Sequence, residues 1–464
     1  MRPTPARENK MGTMPIGRLL LTMSGPMMLS MLIQALYNTV DSMFVARISE
    51  AALTAVSLAY PVQFLMIAVA TGTGVGVNSF LSRNLGEKHF AMANRTAGNA
   101  LFLGGASYAV FALLGFFGTR LYFQVQVDDP EILALGTDYL FWVTVLSLGC
   151  FGQIFLERLL QSTGKTFYSM LVQMIGAVLN MVLDPILIFG LLGAPAMGVK
   201  GAAVATVISQ MIGMLFGIYF HWKKNRELTI TLRDVRPDAA VIRQIYKVGV
   251  PSILLQMAAS VLVFGLNQIL VGFSQTAAAV YGVYYKLQGF AFMPVFGMNN
   301  GMVPILAYNY GARQARRITG TIRLAIFCAV GIMCAALLVF QTLPVQLLTL
   351  FEASPEMLDM GVPALRILSL CFVLGGFTVV VSSVYQALGR GTVSMMLSVS
   401  RQLLLVLPLA WLFSLSGDLN LVWWAFPVAE VVTGVLAGAA LRRAVKRIIL
   451  PLESREERKE NAVE

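Results

Sequence analysis

The sequence predicts an all-α membrane protein of twelve transmembrane helices, arranged as two pseudo-symmetric lobes of six helices each. The first observation is composition, because 57% of the 464 residues are hydrophobic and only 12% are charged, against roughly 25% charged residues in soluble proteins. The second is the length of the uncharged stretches, such as residues 51–82 and 248–285, which exceed the ~20 residues that a transmembrane helix needs. The third is an internal repeat. A barrel is excluded because its strands would be short segments of alternating hydrophobicity.

Twelve apolar segments are long enough to cross a bilayer as helices. They are residues 15–45, 51–82, 95–119, 136–161, 165–191, 199–222, 242–272, 276–308, 317–341, 360–387, 392–415 and 421–445. The longest polar connection, residues 223–247, carries seven Lys and Arg residues and divides the chain into two sets of six spans. We therefore predict five consecutive domains. They are an N-terminal tail (1–14), an N-lobe (15–222), a linker (223–241), a C-lobe (242–447) and a C-terminal tail (448–464).

The two halves repeat each other at a constant offset of 225 positions. Prolines, tyrosines, glycines and glutamines recur at this offset without a gap. The matched pairs are Pro26 with Pro251, Tyr60 with Tyr285, Gly72 with Gly297, Gly86 with Gly311, Gln161 with Gln386, and Gly164 with Gly389. An even number of spans in each half makes the repeats parallel, related by an axis along the membrane normal.

The basic residues lie mainly on one side of the predicted membrane. Of the 34 Lys and Arg residues, 28 fall in the tails, the linker and the loops of that side. By the positive-inside rule this side is cytoplasmic, together with both termini. The net charge of +11 therefore reflects membrane topology, and we expect a lipid bilayer and no nucleic acid as partner.

Two acids inside apolar spans are the strongest functional signal in the sequence. Asp41 and Asp184 both lie in helices that run outward, about 5 and about 8 residues from the outer ends, at depths of roughly 7 and 12 Å. Tyr37 and Asn38 lie one turn below Asp41, and Asn180 lies one turn below Asp184. Such a cluster of oxygen donors suits an alkali cation or a proton. The alternative is that each acid lies in the interfacial layer and is hydrated.

Pro26 lies inside the first span and removes a backbone hydrogen bond there. We expect a kink below Asp41, and a kinked helix can adopt two bends. A static kink that only helps packing is the alternative.

The second half lacks the two acids, because Leu266 and Leu409 stand at the corresponding positions. Cation binding is therefore predicted in the first half alone. The second half has its own buried charges, Lys286, Arg401 and Glu430. A structural ion pair is the favoured interpretation, since unpaired charges inside a bilayer are costly, and a second proton site at Glu430 is the alternative.

A cavity for variable, apolar cargo is predicted from polar, aromatic and methionine side chains, which adapt to the shape of a ligand. The candidate lining residues are Gln34, Asn38, Phe64, Gln256 and Met293. Lipid contact or core packing is the alternative for each of them. The two histidines, His89 and His221, lie at the cytoplasmic surface. We therefore expect no zinc site, no catalytic triad, no cofactor and no enzyme activity.

Several motifs, in order along the chain, resemble the multidrug and toxic compound extrusion (MATE) family. They are SGPMMLSMLIQALYNTVDSMFVA at 24–46, LSRNLGE at 81–87 with LAYNYGA at 306–312, LQSTGK at 160–165 with YQALGR at 385–390, and NMVLDP at 180–185. The resemblance runs over about residues 15–445, and it is closest to the bacterial branch whose coupling acids lie in the N-terminal lobe.

The resemblance implies a V-shaped bundle of six plus six helices that exports organic cations and amphiphiles in exchange for Na⁺ or H⁺. It implies a cation site made of Asp41, Asn180, Asp184, Tyr37 and Thr206. A second branch of the family carries its acids in the C-terminal lobe, one of them on span 7. This chain has no acid on span 7, so that mechanism is not expected.

The functional hypothesis is a multidrug antiporter of the bacterial inner membrane that works by alternating access as a monomer. The alternative is a flippase for a lipid-linked sugar, which would need additional spans or a basic cavity for pyrophosphate. A membrane-embedded transferase would need a catalytic cluster at one face, and the sequence contains none.

Overall fold

The structure is a computed structural model, and it describes residues 9–452. Within this range every regular element is helical. Residues 1–8 and 453–464, which belong to the two predicted tails, lie outside the described residues.

Seventeen α-helices follow one another along the described chain. They are α1 (Lys10–Thr13), α2 (Ile16–Ala46), α3 (Glu50–Gly86), α4 (Phe90–Gln126), α5 (Pro130–Val145), α6 (Leu148–Ser162), α7 (Thr166–Phe189), α8 (Val199–Lys224), α9 (Ala239–Val271), α10 (Gln275–Gly311), α11 (Ala315–Thr342), α12 (Pro344–Thr349), α13 (Pro355–Ser369), α14 (Phe372–Ala387), α15 (Gly391–Val399), α16 (Leu407–Ser414) and α17 (Leu419–Ala444). Two π-helices, Ser400–Val406 and Val445–Ile449, continue α15 and α17 without a loop.

The number of transmembrane spans agrees with the sequence prediction. Ten helical segments in the described part of the chain are long and apolar enough to cross a membrane, and two bent helix pairs bring the number to twelve. The pairs are α5 with α6, bent by 45°, and α13 with α14, bent by 47°. Their starting residues, Pro130 and Pro355, are 225 positions apart, so the bend itself is part of the repeat. The predicted all-α fold of twelve spans is confirmed.

The helices form two compact units. The first unit contains residues 29–249, and the second contains the residues up to 28 together with those from 250 onward. The two boundaries fall inside α2 and inside α9, after residues 28 and 249. The lobe and linker boundaries derived from the sequence stay a prediction.

Small residues allow the helices of the first unit to pack closely. A Cβ atom added at Gly149 in α6 would lie 2.6 Å from the backbone nitrogen of Met211 in α8. A Cβ atom added at Gly201 in α8 would lie 2.4 Å from the carbonyl oxygen of Leu187 in α7. Helices in a bilayer associate through such close backbone approaches, because burial of apolar surface gives no gain against lipid.

The connection between α8 and α9 is bound to the first unit by α4. The side chain of Asn99 donates hydrogen bonds to the carbonyl groups of Asp234 and Arg236, each at 3.2 Å, and accepts one from the backbone N–H of Asp238 at 2.8 Å. Arg95 adds an ion pair with the Asp238 carboxylate at 3.1 Å. The part of the predicted linker after residue 233 is thus a docked segment.

The segment before α2 is bound in a similar way within the second unit. The guanidinium of Arg317 donates to the carbonyl groups of Met11 and Met14, at 3.0 and 2.7 Å. Asn309 also donates to the Met11 carbonyl, at 3.0 Å, and its amide oxygen accepts from Arg317 at 3.1 Å. These bonds fix the start of α2.

Replacement of Gly76 by alanine is expected to destabilise the first unit. The new Cβ atom would lie 2.1 Å from the carbonyl oxygen of Ile245, a backbone atom of α9 that cannot move aside. We expect a loss of about 1–3 kcal/mol in unfolding free energy, measured as a lower melting temperature of the purified protein in detergent. Gly105→Ala is the matched control, because nothing lies within 4 Å of its Cβ position. Equal melting temperatures for the two variants would contradict the close packing of α3 on α9.

Candidate functional site

The structure brings Asp41 and Asp184 together inside the first unit. Asp41 lies near the end of α2, and Asp184 lies in the second half of α7. Their carboxyl groups are within hydrogen-bonding reach of each other. Asp184 is completely buried. Two apolar helices thus bring together a pair of acids that are 143 positions apart in the sequence.

Three polar side chains surround this acid pair. With the Asn180 amide oriented to satisfy both of its ends, its nitrogen donates to the Asp184 carboxylate at 2.8 Å. Its oxygen then accepts from the hydroxyl and the backbone N–H of Thr206, each at 3.2 Å. The hydroxyl of Tyr37 reaches the hydroxyl of Thr206. Helices α2, α7 and α8 therefore each contribute polar atoms to the site.

One oxygen of the site has no partner. The Oδ1 atom of Asp41 is buried and accepts no hydrogen bond from any side chain or backbone group of the described residues. Buried polar atoms are almost always paired, and an exception calls for a functional explanation. A carboxylate oxygen in this position is free to accept a cation or to carry a proton.

The donor set favours a hard cation over a transition metal. Within residues 9–452 no three His, Cys, Asp or Glu side chains lie together. The candidate ligands are the carboxylates of Asp41 and Asp184 and the amide or hydroxyl oxygens of Asn180, Thr206 and Tyr37. Oxygen atoms of these types replace the hydration shell of hard cations.

Two residues of the site were missed by sequence reasoning. Tyr139 of α5 is buried and lies within electrostatic range of both acids. Its hydroxyl accepts a hydrogen bond of 3.2 Å from the Gln63 amide of α3. No spacing rule connects a tyrosine of α5 with the acids of α2 and α7, so the sequence carried no signal for it.

A third missed residue, Gln173, joins α2 to α7 below the acid pair. Its amide oxygen accepts from the Ser30 hydroxyl, and its amide nitrogen donates to the side-chain oxygen of Gln34. Ser30, Gln34, Tyr37 and Asp41 recur on α2 at intervals of four, three and four, which places them on one helix face. Gln173 lies eleven residues, or roughly 16 Å along α7, from Asp184. We call this line of contacts between α2 and α7 the polar seam. Its spacing on α2 was the signal available in the sequence.

The remaining candidates for a cargo cavity have ordinary surroundings. Asn38 is exposed, which corrects its assignment to the oxygen cluster. It follows Tyr37 by one residue and therefore lies about 100° round the helix from it, to one side of the face that carries Tyr37 and Asp41. Phe64 packs its ring 6.0 Å from that of Tyr60. Gln256 donates weakly, at 3.4 Å, to a carbonyl of its own helix, and Met293 is half-buried. A cavity lined by these residues stays a prediction.

In the second unit, Glu430 forms its ion pair with Arg401 and not with Lys286. Glu430 is buried and forms an ion pair with Arg401, with 3.0 Å between Nη1 and Oε2. Lys286 is exposed and forms no ion pair within the described residues. Its prediction as a buried charge is therefore wrong. Pro26 lies inside the continuous helix α2, and the kink expected there stays a prediction.

Comparison with known protein families shows the family to which the chain belongs. The MatE family model matches residues 26–186 and 251–412, which together are more than half of the chain and correspond to the two repeats. The chain belongs to the MatE family. The predicted resemblance is confirmed, and it covers both halves.

Curated MatE relatives are similar over nearly their whole length. The chain is 27% identical over 424 residues to the multidrug export protein MepA of Staphylococcus haemolyticus, covering 91% of this chain and 92% of the relative. It is 24% identical over 429 residues to MepA of Staphylococcus aureus strain N315, covering 91% and 93%. Both of these relatives are multidrug export proteins of staphylococci.

Solved MatE structures share the fold. An outward-facing multidrug resistance MATE transporter superposes with a TM-score of 0.90 at 26% identity, covering 96% of this chain and 99% of that one. MATE structures in the straight and the bent conformation superpose with TM-scores of 0.89 and 0.87, also at 26% identity. They cover 95% and 94% of this chain, and 98% and 97% of theirs.

Replacement of Gln173 by methionine is expected to loosen the polar seam. Methionine has a similar volume but cannot bond to Ser30 or Gln34, and each hydrogen bond between membrane helices contributes roughly 0.6 kcal/mol. We expect a drop of about 1–2 kcal/mol in unfolding free energy, measured by thermal melting in detergent. Gln126→Met is the control, because Gln126 is exposed and bonds only to its own helix. An unchanged melting temperature for Gln173→Met would show that the seam contributes nothing to stability.

Proposed function

We propose that this protein is a secondary antiporter of the bacterial inner membrane that exports small amphiphilic or cationic drugs in exchange for Na⁺ or H⁺. The observation that carries the proposal is the meeting of the Asp41 and Asp184 carboxyl groups, with one buried oxygen left unpaired. Membership of a transporter family, with curated relatives named as multidrug exporters, supports the class of cargo.

Binding of a cation at the acid pair changes the electrostatic energy at this site of the first unit. When both carboxylates are ionised, their mutual repulsion is unfavourable in a buried site. A Na⁺ ion between them, or a proton on one of them, removes this repulsion. The oxygens of Tyr37, Thr206 and Asn180 complete the donor set. The empty and the cation-bound site therefore favour different arrangements of α2, α7 and α8.

Helix α2 is suited to transmit this difference. It carries Tyr37 and Asp41 at the site, and Pro26 lies fifteen positions before Asp41. Proline leaves one carbonyl of the helix without its backbone donor, so α2 bends more easily there than elsewhere. A cation that binds one bend more tightly shifts the population toward it. The existence of straight and bent conformations among solved MATE structures supports two such states.

Both termini are proposed to lie in the cytoplasm, because the basic residues concentrate on their side. A single chain supplies both repeats of the family, so we propose that the monomer transports.

Replacement of Asp41 or Asp184 by asparagine is expected to abolish efflux. Asparagine keeps the shape of the side chain and removes the charge that a cation would balance. In cells that lack their own drug pumps, each variant should lower the rate of ethidium efflux by about tenfold or more, at an unchanged protein level in the membrane.

The control for this experiment is Asp129→Asn. Asp129 is an exposed helix N-cap at the start of α5, and asparagine caps a helix equally well. This variant should therefore retain the wild-type rate. A fully active Asp184→Asn variant would refute the proposed site. A wild-type protein that gives no dye tolerance at all would favour the lipid-linked sugar flippase.

The coupling cation is expected to act through the same two acids. In inverted membrane vesicles, a Na⁺ gradient and a pH gradient are imposed separately while dye transport is followed by fluorescence. One of the two gradients should drive transport in the wild type, and neither should do so in Asp41→Asn. Transport driven equally by a gradient in Asp41→Asn and in the wild type would separate the acids from coupling.

A further inference from the structure

The second unit contains a buried charged cluster that the proposed transport cycle does not use. Its centre is Glu430 of α17, whose side chain is 4% exposed. One carboxylate oxygen accepts a 2.8 Å hydrogen bond from the hydroxyl of Thr378 in α14. The other accepts a 3.0 Å hydrogen bond from Nη1 of Arg401. Both oxygens of this acid are thus paired, in contrast to those of Asp41.

The cluster has the components of a cation site with the cation already in place. A buried carboxylate and a hydroxyl oxygen are ligands that a hard cation prefers, and here a guanidinium fills the remaining position. Arginine keeps its proton at any physiological pH, and its attachment to the backbone prevents its release. The positive charge at Glu430 is therefore permanent, whereas a charge at the acid pair of the first unit can come and go.

The repeat relates this cluster to positions beside the acid site of the first unit in the sequence. At the offset of 225, Thr378, Arg401 and Glu430 correspond to Gln153, Gly176 and Ala205. The last two lie one turn before Asn180 in α7 and directly before Thr206 in α8. In the first unit the Gln153 amide occupies the space beside Gly176, 3.3 Å from the Cβ position of that glycine. In the second unit a long side chain starts from the corresponding backbone position.

The backbone at Arg401 also differs from its counterpart. Arg401 is the second residue of the π-helix Ser400–Val406. The corresponding residues 175–181 belong to the regular helix α7. A π-helical turn is rare, and it is frequent at functional sites. The local helix geometry therefore differs between the halves at the residue that carries the guanidinium.

We propose that Arg401 is a built-in cation, which permanently occupies a cation site formed by Glu430 and Thr378 and thereby confines exchangeable cation binding to the first unit. The statement about coupling rests on the proposed antiport function, whereas the occupation of the site by a guanidinium does not. When Arg401 is truncated, the vacated site should accept a small cation from solution. The Arg401 side chain is 25% exposed, so the position that it would vacate is open to the surface of the helix bundle.

The experiment that tests the site itself uses Arg401→Ala and guanidinium chloride. The purified variant should melt at a lower temperature than the wild type, because its carboxylate has lost its counter-charge. Guanidinium at low millimolar concentration should raise this melting temperature saturably, as a ligand of the native state does, and an equal concentration of tetramethylammonium chloride should not. Arg366→Ala, an exposed arginine of the same unit, should show no response.

Removal of the acid provides the second arm. The double variant Arg401→Ala/Glu430→Ala should show no guanidinium response, because the negative ligand is gone. A response of equal size in the double variant or in Arg366→Ala would overturn the proposal. The nearly isosteric pair Arg401→Met/Glu430→Gln keeps the test valid if Arg401→Ala does not fold, because it removes both charges together. It should be more stable than Arg401→Met alone, and the opposite order would contradict a cation role.

Transport measurements test the consequence for coupling. In vesicles, Arg401→Ala should depend on the coupling cation with a Hill coefficient that rises from about 1 to about 2, because Glu430 then needs a cation from solution. Arg401→Lys, which retains a bound charge, should keep the wild-type value. An unchanged coefficient in Arg401→Ala, together with a clear guanidinium response, would leave the site standing and overturn its role in coupling. Loss of transport in the wild-type preparation would instead refute the antiport function.

Discussion

The compensation of carboxylate charge inside an apolar helix bundle is the constraint on which the rest of this structure depends. A charged group at membrane depth is costly unless an opposite charge, a proton or a set of polar atoms balances it. Asp41, Asp184 and Glu430 all lie inside apolar helices. The first two lie beside each other with an oxygen left unpaired, and the third is matched by an arginine. The carboxylate charge is thus incompletely compensated in the first unit and completely compensated in the second.

The uncompensated charge of the acid pair is the basis of our proposal that the first unit responds to a cation. The polar atoms around the acids come from three helices, so a change of charge acts on their mutual packing. The polar seam extends this interaction along α2 and α7, from the acid pair down to Gln173. Helix α2 is therefore held against α7 by polar contacts along one face, and each such hydrogen bond between membrane helices contributes roughly 0.6 kcal/mol.

The internal repeat shows that the acid pair and the Glu430–Arg401 pair are built on related helices. The bends after α5 and α13 recur at the same offset and with nearly the same angle. The segments before α2 and α9 are each fixed by arginine and asparagine side chains. The halves differ at the buried charges. The second half has leucines at the positions of the two acids, and it has the cluster around Arg401. Packing is shared between the halves, and the chemistry of the buried charges is not.

The sequence by itself determined the membrane fold, the number of spans and the relation between the halves, because hydrophobic length and repeated motifs are properties of short segments. It also selected Asp41 and Asp184, since an acid in an apolar span is conspicuous without any knowledge of its neighbours. Only the tertiary structure decided which side chains meet. Tyr139 approaches the acid pair from α5, and Gln173 of α7 bonds to α2. Asn38 turns away from the pair, and Arg401 rather than Lys286 pairs with Glu430. These contacts depend on the rotation and bend of each helix, which the apolar pattern of a membrane span leaves almost unspecified.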